Sequence, residues 1–295
     1  MSRRWSHCAQ VLRRPLPTCF RPSGASRSCV RPRTNWRRWF DASSGAPLTG
    51  GEAVFVAAAV FWGAAARGFT GFGAVLFTLP VLVVALPVRT AVPLLVAIGM
   101  VNGLWLTWRV RREADAAECR RLLAAGIPGA LVGLLLFRQA PDRLLQGLLG
   151  LVIAGVGGWL LVRQRRESSP WQAAWGYGAG LCGGVLGGLY GLSGPAPVAY
   201  LSGRDLPPTV FRATLLLYIT ALDILLAAGF ALVGAMPTPA WPLALGLLPV
   251  ALLGSWLGEQ LQRRVSPHLF QTVSSLALML MGVALALRTW LSAAQ

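Results

Sequence analysis

The chain has 295 residues, of which 55% are hydrophobic and 13% charged, and its formal net charge is +17. A soluble domain carries about 25% charged residues, so this composition excludes an ordinary water-soluble fold. All 27 basic residues are arginine, and a chain without lysine cannot form the Schiff base of a retinal protein or a pyridoxal enzyme.

Residues 1–50 hold ten of the arginines, one acid (Asp41) and no apolar stretch. The pairs Arg3-Arg4 and Arg13-Arg14 precede no hydrophobic core, so a secretory signal is not expected. The segment reads as a basic, disordered and dispensable tail. An organelle transit peptide, or a start site placed too far upstream, would share that composition. Beyond residue 50, apolar runs alternate with short charged loops, and roughly 20 apolar residues suffice to cross a bilayer.

Eight such segments are expected, at 53–82, 90–108, 119–137, 143–162, 171–202, 209–235, 240–260 and 268–288. They are apolar all round and carry interspersed Gly, Ala, Ser and Thr, as helices packed in lipid do. The expected fold is an all-α membrane protein of about eight transmembrane helices in two repeats of four, 51–166 and 170–290. The first and fifth segments exceed a straight span and contain glycine clusters. Each reads as a broken helix or a helix plus a re-entrant turn.

The two halves correspond along their length. Gly68, Gly71 and Pro87 recur as Gly188, Gly191 and Pro207 at a spacing of 120. Asn102, Pro128 and Gly133 recur as Asp223, Pro249 and Gly254 at 121, and Pro141 as Pro267 at 126. A tandem duplication would produce this pattern, which is typical of secondary transporters. With eight spans both termini share one face, which then holds 19 arginines, including those of the 109–121 loop. Seven, Arg204 and Arg212 among them, fall on the other face. The positive-inside rule puts the richer face and both termini in the cytoplasm, multi-pass in a cell inner membrane. Within the second half alone the bias reverses. A broken first helix in each half would make the repeats inverted, and the sequence leaves both arrangements open.

Candidate chemistry lies in two constellations. The first pairs the glycine-rich stretch Arg67, Gly68, Phe69, Thr70, Gly71, Phe72, Gly73 with Gly187, Gly188, Leu189, Tyr190, Gly191, Leu192, Ser193, Gly194, Pro195. An interrupted helix exposes amide donors and a positive dipole end, which suits an anion. Thr70, Tyr190 and Ser193 add hydroxyls. These glycines could equally serve close helix packing. The second constellation is charge inside spans: Arg67 and Asp223, with Asn102 as the repeat equivalent of Asp223. Each buried charge costs at least about 2.5–3.5 kcal/mol, so each needs a partner or a task. They either pair with each other, or Arg67 attracts an anion while Asp223 carries a coupling proton. Arg212, at the start of the sixth segment, reads as a gate for anions or as an interfacial anchor.

Other chemistry finds no support. Five cysteines and two histidines show no metal spacing. There is no HExxH, GxSxG or Walker loop, so no catalytic residue, metal or cofactor is expected. The arginines read as loop and headgroup charge rather than a nucleic-acid footprint. The expected partners are the lipid bilayer and a small anionic substrate, with a homo-oligomer left open. Tryptophans 105, 108, 159, 171, 175 and 290 fall near span ends as an aromatic belt. The rival classes are a channel, an intramembrane enzyme and a non-transporting membrane subunit.

At these motifs the chain resembles the sulfite exporter TauE/SafE family of membrane permeases. The resemblance rests on RGFTGFGAVLFTLPVL, AVPLL, GIPGALVG, GGVLGGLYGLSGPAPVAYL and FRATLL, and covers roughly residues 53–288. The chain departs from the family pattern at Gly194-Pro195-Ala196-Pro197, where GPP is usual, and at Phe72 and Ala74, which interrupt the first glycine run. The resemblance implies a secondary permease for small anions, often sulfite, sulfonates or sulfoacetate, with the glycine motifs as its pathway.

Overall fold

The computed structural model describes residues 50–163, 172–204, 206–235 and 240–262. The basic tail before residue 50 and the eighth apolar segment, 268–288, lie outside the described residues. Within them every regular element is helical. In chain order these are α1 (Gly50–Thr70), α2 (Ala74–Ala85), α3 (Val88–Val110), a 3-10 turn (Arg111–Glu113), α4 (Ala116–Gln139), α5 (Asp142–Arg163), α6 (Trp175–Tyr190), α7 (Pro195–Leu201), α8 (Pro208–Leu232) and α9 (Ala240–Gln262).

Four of the helical stretches, Val88–Glu113, Ala116–Gln139, Pro208–Leu232 and Ala244–Gln262, are long and apolar enough to cross a membrane. Trp62, Leu135, Leu151, Leu232, Leu245 and Leu253 present large apolar side chains outward. Water would penalise that surface at about 25 cal/mol per Å²; hydrocarbon does not. The centre of the bundle is α3, buried without a break from Ala91 to Gly99, whereas α4 exposes Ile127, Leu131, Val132, Leu135 and Leu136. Trp108 and Trp175, at helix ends, are exposed as belt residues are.

The first and fifth apolar segments both reverse direction at their glycine clusters. Helix α2 folds back along α1: Thr78 Oγ1 donates to the Ala59 carbonyl at 3.2 Å, and Gly63 faces Thr78 and Ala74. Helix α7 folds back along α6 in the same way, with Gly183 against Pro197 and Gly176 against the Tyr200 ring. Each segment is therefore two helices joined by a tight reversal.

Helices α3 and α8 follow Pro87 and Pro207, 120 residues apart, yet run antiparallel. Thr107 of α3 meets Leu216 and Thr220 of α8, while Gly99 meets Asp223. Outside this central pair, α1 packs along α9 and α6 along α4. These contacts are backbone to backbone and need glycine: Gly68 lies on the Ser255 main chain and Gly188 on that of Ala130, Gly133 and Leu134. The contacts also correct the register read from sequence. Gly254 faces Phe61 as Gly129 faces Leu181, and Gly258 faces Ala65 as Gly133 faces Val185. The matching spacing for α4 and α9 is thus 125, not 121. The difference is four residues, about one helical turn, which preserves the buried face while displacing every residue along it.

A second correction concerns the faces of the bundle. Arg204 and Arg121 both bind Glu118, at 2.9 and 2.7 Å, so they share one face instead of lying on opposite ones. The reversal between α6 and α7, absent from a count of eight straight spans, is the cause. Glu118 is buried and also accepts from Tyr200 Oη at 2.7 Å.

The glycine contacts predict a contrast. Gly188→Leu forces a side chain into the α4 backbone and should cost about 1–3 kcal/mol or block folding. Gly147→Ala in α5, where a Cβ meets nothing within 4 Å, should be neutral or stabilise by up to about 1 kcal/mol. Thermal melts of the two detergent-solubilised variants measure the difference.

Candidate functional site

The site is built from the two reversals. After Thr70 the chain turns at Gly71 (φ 84°) and Gly73 (φ 100°), left-handed conformations that side chains with a Cβ resist. The Thr70 hydroxyl closes this turn: it lies within hydrogen-bond reach of the Ala66 and Phe72 carbonyls and accepts from the Phe72 N–H. Arg212 reaches across from α8 and donates to the Gly68 carbonyl at 2.7 Å. A cation there suits the negative end of the α1 dipole. The second turn is set by Gly191 (φ 72°), whose N–H returns to the Gly187 carbonyl at 2.7 Å.

The two turns touch. A Cβ on Gly194 would lie 3.1 Å from Phe72 Cβ, and one on Gly191 would lie 3.1 Å from Val96 and 3.4 Å from Val75. Between them is a cavity of about 20 Å³ bounded by the two reversals together with Arg67, Ile219 and Asp223. Helix α2 starts on its wall. Its N-cap, Gly73, supplies no side chain to the first-turn amides, and Ala74, Val75 and Leu76 line the space. The second reversal differs, because α7 begins with Pro195 and has Pro197 two residues on, so two early amide donors are missing. What it brings instead is Ser193, whose buried Oγ has no hydrogen-bond partner.

Charge sits on the same wall. Arg67 Nη1 and Nη2 each lie 3.1 Å from Asp223 Oδ2, and Nη1 also donates to the Gly99 carbonyl at 3.2 Å. Both residues are 2% exposed, and Arg67 Nε has no hydrogen-bond partner. Gly99 and Gly103 make room for the guanidinium: a Cβ would lie 3.2 Å from Nη1 at the first and 2.7 Å from Nη2 at the second.

Of the residues singled out in the sequence, Arg67, Gly73, Gly191, Ser193, Gly194 and Asp223 meet at this cavity. Gly71 shapes the turn without lining the space. Gly68 and Gly188 are helix-packing glycines. Thr70 is engaged by its own turn, and Arg212 caps α1. Tyr190 Oη donates to the Leu145 carbonyl at 3.1 Å, away from the site. Asn102 Nδ2 donates to Ser255 Oγ at 2.7 Å, and Ser255 in turn to the Ala64 carbonyl, a pin between α3, α9 and α1. Sequence reading missed Gly99 and Gly103, although their four-residue spacing is a small-xxx-small signal. It also missed Ser255 and the partners of Glu118.

Two helix reversals meeting at a buried charge pair, inside a bundle with an apolar perimeter, define a helical membrane transporter. The chain belongs to the sulfite exporter TauE/SafE family, whose model matches residues 55–285. It is 30% identical over 177 residues to the "Probable inner membrane transporter protein TsaS" of Comamonas testosteroni, an alignment covering 58% of this chain and 73% of that one. No solved structure matches it.

Arg212 provides a test of placement. Arg212→Gln removes a charged donor from the end of α1 and should lower stability by about 1.5–3 kcal/mol. Thermal melts of the detergent-solubilised variant beside the wild type would measure the loss.

Proposed function

We propose that this transporter is a secondary permease for a small anion, with sulfite, a sulfonate or another small organic anion as substrate. The observation that carries this is Arg67, a permanent cation, itself buried, on the wall of the cavity between the reversals. The Ser193 hydroxyl and the uncapped first turn of α2 add neutral donors beside it. Among the described residues Asp223 is the only acid on that wall. A cation and uncharged donors lining one cavity in a low-dielectric interior favour an anion over a neutral or cationic solute. The sulfur-containing candidates come from the family, the sulfite exporters.

The halves 51–166 and 170–290 act as inverted repeats, in keeping with the antiparallel α3 and α8. The site lies where their reversals meet, as binding sites of inverted-repeat transporters do. A cavity of about 20 Å³ holds roughly one water, so loading an oxyanion requires the reversals to part. Rocking of α1, α2 and α9 against α4, α6 and α7 around the α3–α8 pair would open the site to one side and then the other. The face carrying Arg109, Arg111, Arg112, Arg120, Arg121 and Arg204 is cytoplasmic by the positive-inside rule, in a bacterial inner membrane.

A thermal-shift series with sulfite, methanesulfonate, sulfoacetate, acetate and choline tests the reading. An anion at 100 times its Kd should stabilise the folded form by about 2.7 kcal/mol, while choline should do nothing. Ser193→Ala should weaken the bound anion several-fold, about 0.5–1.5 kcal/mol for one hydrogen bond. Arg67→Ala should abolish saturable flux in proteoliposomes. It also strands Asp223, at about 3–5 kcal/mol, so the double variant Arg67→Leu, Asp223→Leu is the control that should fold and not transport. Saturable flux surviving in that double variant would refute the role of Arg67.

A further inference from the structure

Resting on the anion reading of this cavity, the geometry points to a further property: Arg67 and Asp223 exchange an anion for a carboxylate, so that one proton crosses with each anion. The anion takes the place of Asp223 on Arg67 only when Asp223 takes up a proton.

The first argument is occupancy. One oxygen, Asp223 Oδ2, engages both terminal nitrogens of Arg67, and the Gly99 carbonyl takes a second bond from Nη1. These bonds use three of the five guanidinium N–H groups, and the Nε–H and one Nη2–H remain. An oxyanion is held best by two parallel N–H donors of a guanidinium. With Asp223 seated the terminal Nη1–Nη2 fork is closed, and an anion on the remaining side pair would share the guanidinium with a carboxylate. Binding at the terminal fork therefore requires Oδ2 to leave, and Ser193 Oγ, which also lines the cavity, is without a partner.

The second argument is charge conservation around two side chains that are each 2% exposed. The empty site holds Arg⁺ and Asp⁻, which sum to zero. A site holding Arg⁺, a neutral Asp223 carboxylic acid and a monovalent anion also sums to zero. Anion without proton leaves a buried net charge of minus one, and proton without anion leaves plus one. Both are disfavoured in a low-dielectric interior. On the loading side Asp223 accepts a proton from water and releases Arg67, and the anion binds. On the release side the anion departs, the proton returns to water and the carboxylate closes on Arg67 again.

Among the described residues no other charge is placed to substitute. Helix α3 presents Gly99, Gly103 and Thr107 to it and to Thr220, none of them ionisable. The ionisable groups of the 3-10 turn and of the start of α4, from Arg111 to Arg121, gather around the Thr214 end of α8, where Asp115 N–H donates to Thr214 Oγ1. Thr214 is nine residues from Asp223, roughly 13 Å along the helix. From α6, Tyr190 is engaged by Leu145 and Cys182 is exposed. From α7, Tyr200 is engaged by Glu118. Arg67 is the one charged group in contact with Asp223 among the described residues.

The test uses the purified wild-type protein and methanesulfonate, whose own charge is constant across the working range. In weak buffer with a pH indicator, binding should take up about one proton per anion. Where Asp223 is ionised when empty, affinity should fall about tenfold per pH unit. In Asp223→Asn, the affinity that remains should be independent of pH, and a proton gradient should no longer drive accumulation. If wild-type protein binds methanesulfonate with no proton uptake and equal affinity at pH 6 and 8, the coupling is wrong and the anion site stands. If methanesulfonate, sulfoacetate and sulfite all fail to stabilise the protein, the coupling and the anion site fall together. The wild-type proton count decides the matter even where the Asn variant does not fold.

Discussion

An ion pair buried within a lipid-facing bundle constrains everything around it. Arg67 and Asp223 come from helices α1 and α8, 156 residues apart in sequence, and neither is tolerable there alone. Bringing them to 3.1 Å fixes the end of α1 against the middle of α8. The guanidinium must also pass α3, which runs between these elements, and α3 yields with Gly99 and Gly103 on the facing side. A larger residue at either position would push the head of Arg67 away from its partner. The central helices are therefore positioned by the needs of one charge as much as by apolar packing.

The two reversals serve this pair unequally. Both turn on left-handed glycines and both fold a short helix back on a longer one. The first ends in a glycine N-cap that leaves the first-turn amides of α2 without a side-chain partner, beside the cavity. The second replaces amides with two prolines and offers the hydroxyl of Ser193. Backbone amides and a hydroxyl answer the same requirement: donors with no net charge. A second cation would have unbalanced the Arg67–Asp223 pair.

Much of this was legible in the sequence, for stated reasons. Membrane residence follows from apolar runs with few charges, and the helical perimeter bears it out. That Arg67 and Asp223 must have partners follows from the cost of burying either, and each is the other's. The glycine clusters marked the reversals because both segments were too long for one span. What could not be read was the job of each glycine. Gly68 and Gly188 look like Gly71 and Gly191 in sequence, but the former pair carries neighbouring backbones while the latter carries positive φ angles. Such a distinction needs coordinates. The register of α9 was misplaced by a turn because Pro128–Pro249 and Gly133–Gly254 coincide at 121, whereas the contacts match at 125. Arg204 was assigned to the wrong face for a related reason: each reversal adds a change of direction that a hydropathy count cannot see.

The repeats explain why the charge pair occurs once. Asn102, the counterpart of Asp223 at a spacing of 121, is uncharged; at the spacing of 120 that aligns Pro87 with Pro207 the counterpart is Gly103, and that of Arg67 is Gly187. Two equivalent positions exist, and only one carries ions. Filling both would place two cations and two carboxylates within one small core, and each pair would bias the proton and anion occupancy of the other. With glycine at the second position, the space opposite the guanidinium is kept free of side chains, and Gly103 uses that freedom to let Arg67 through. Two similar reversals thus share a single charge pair at the cavity between them.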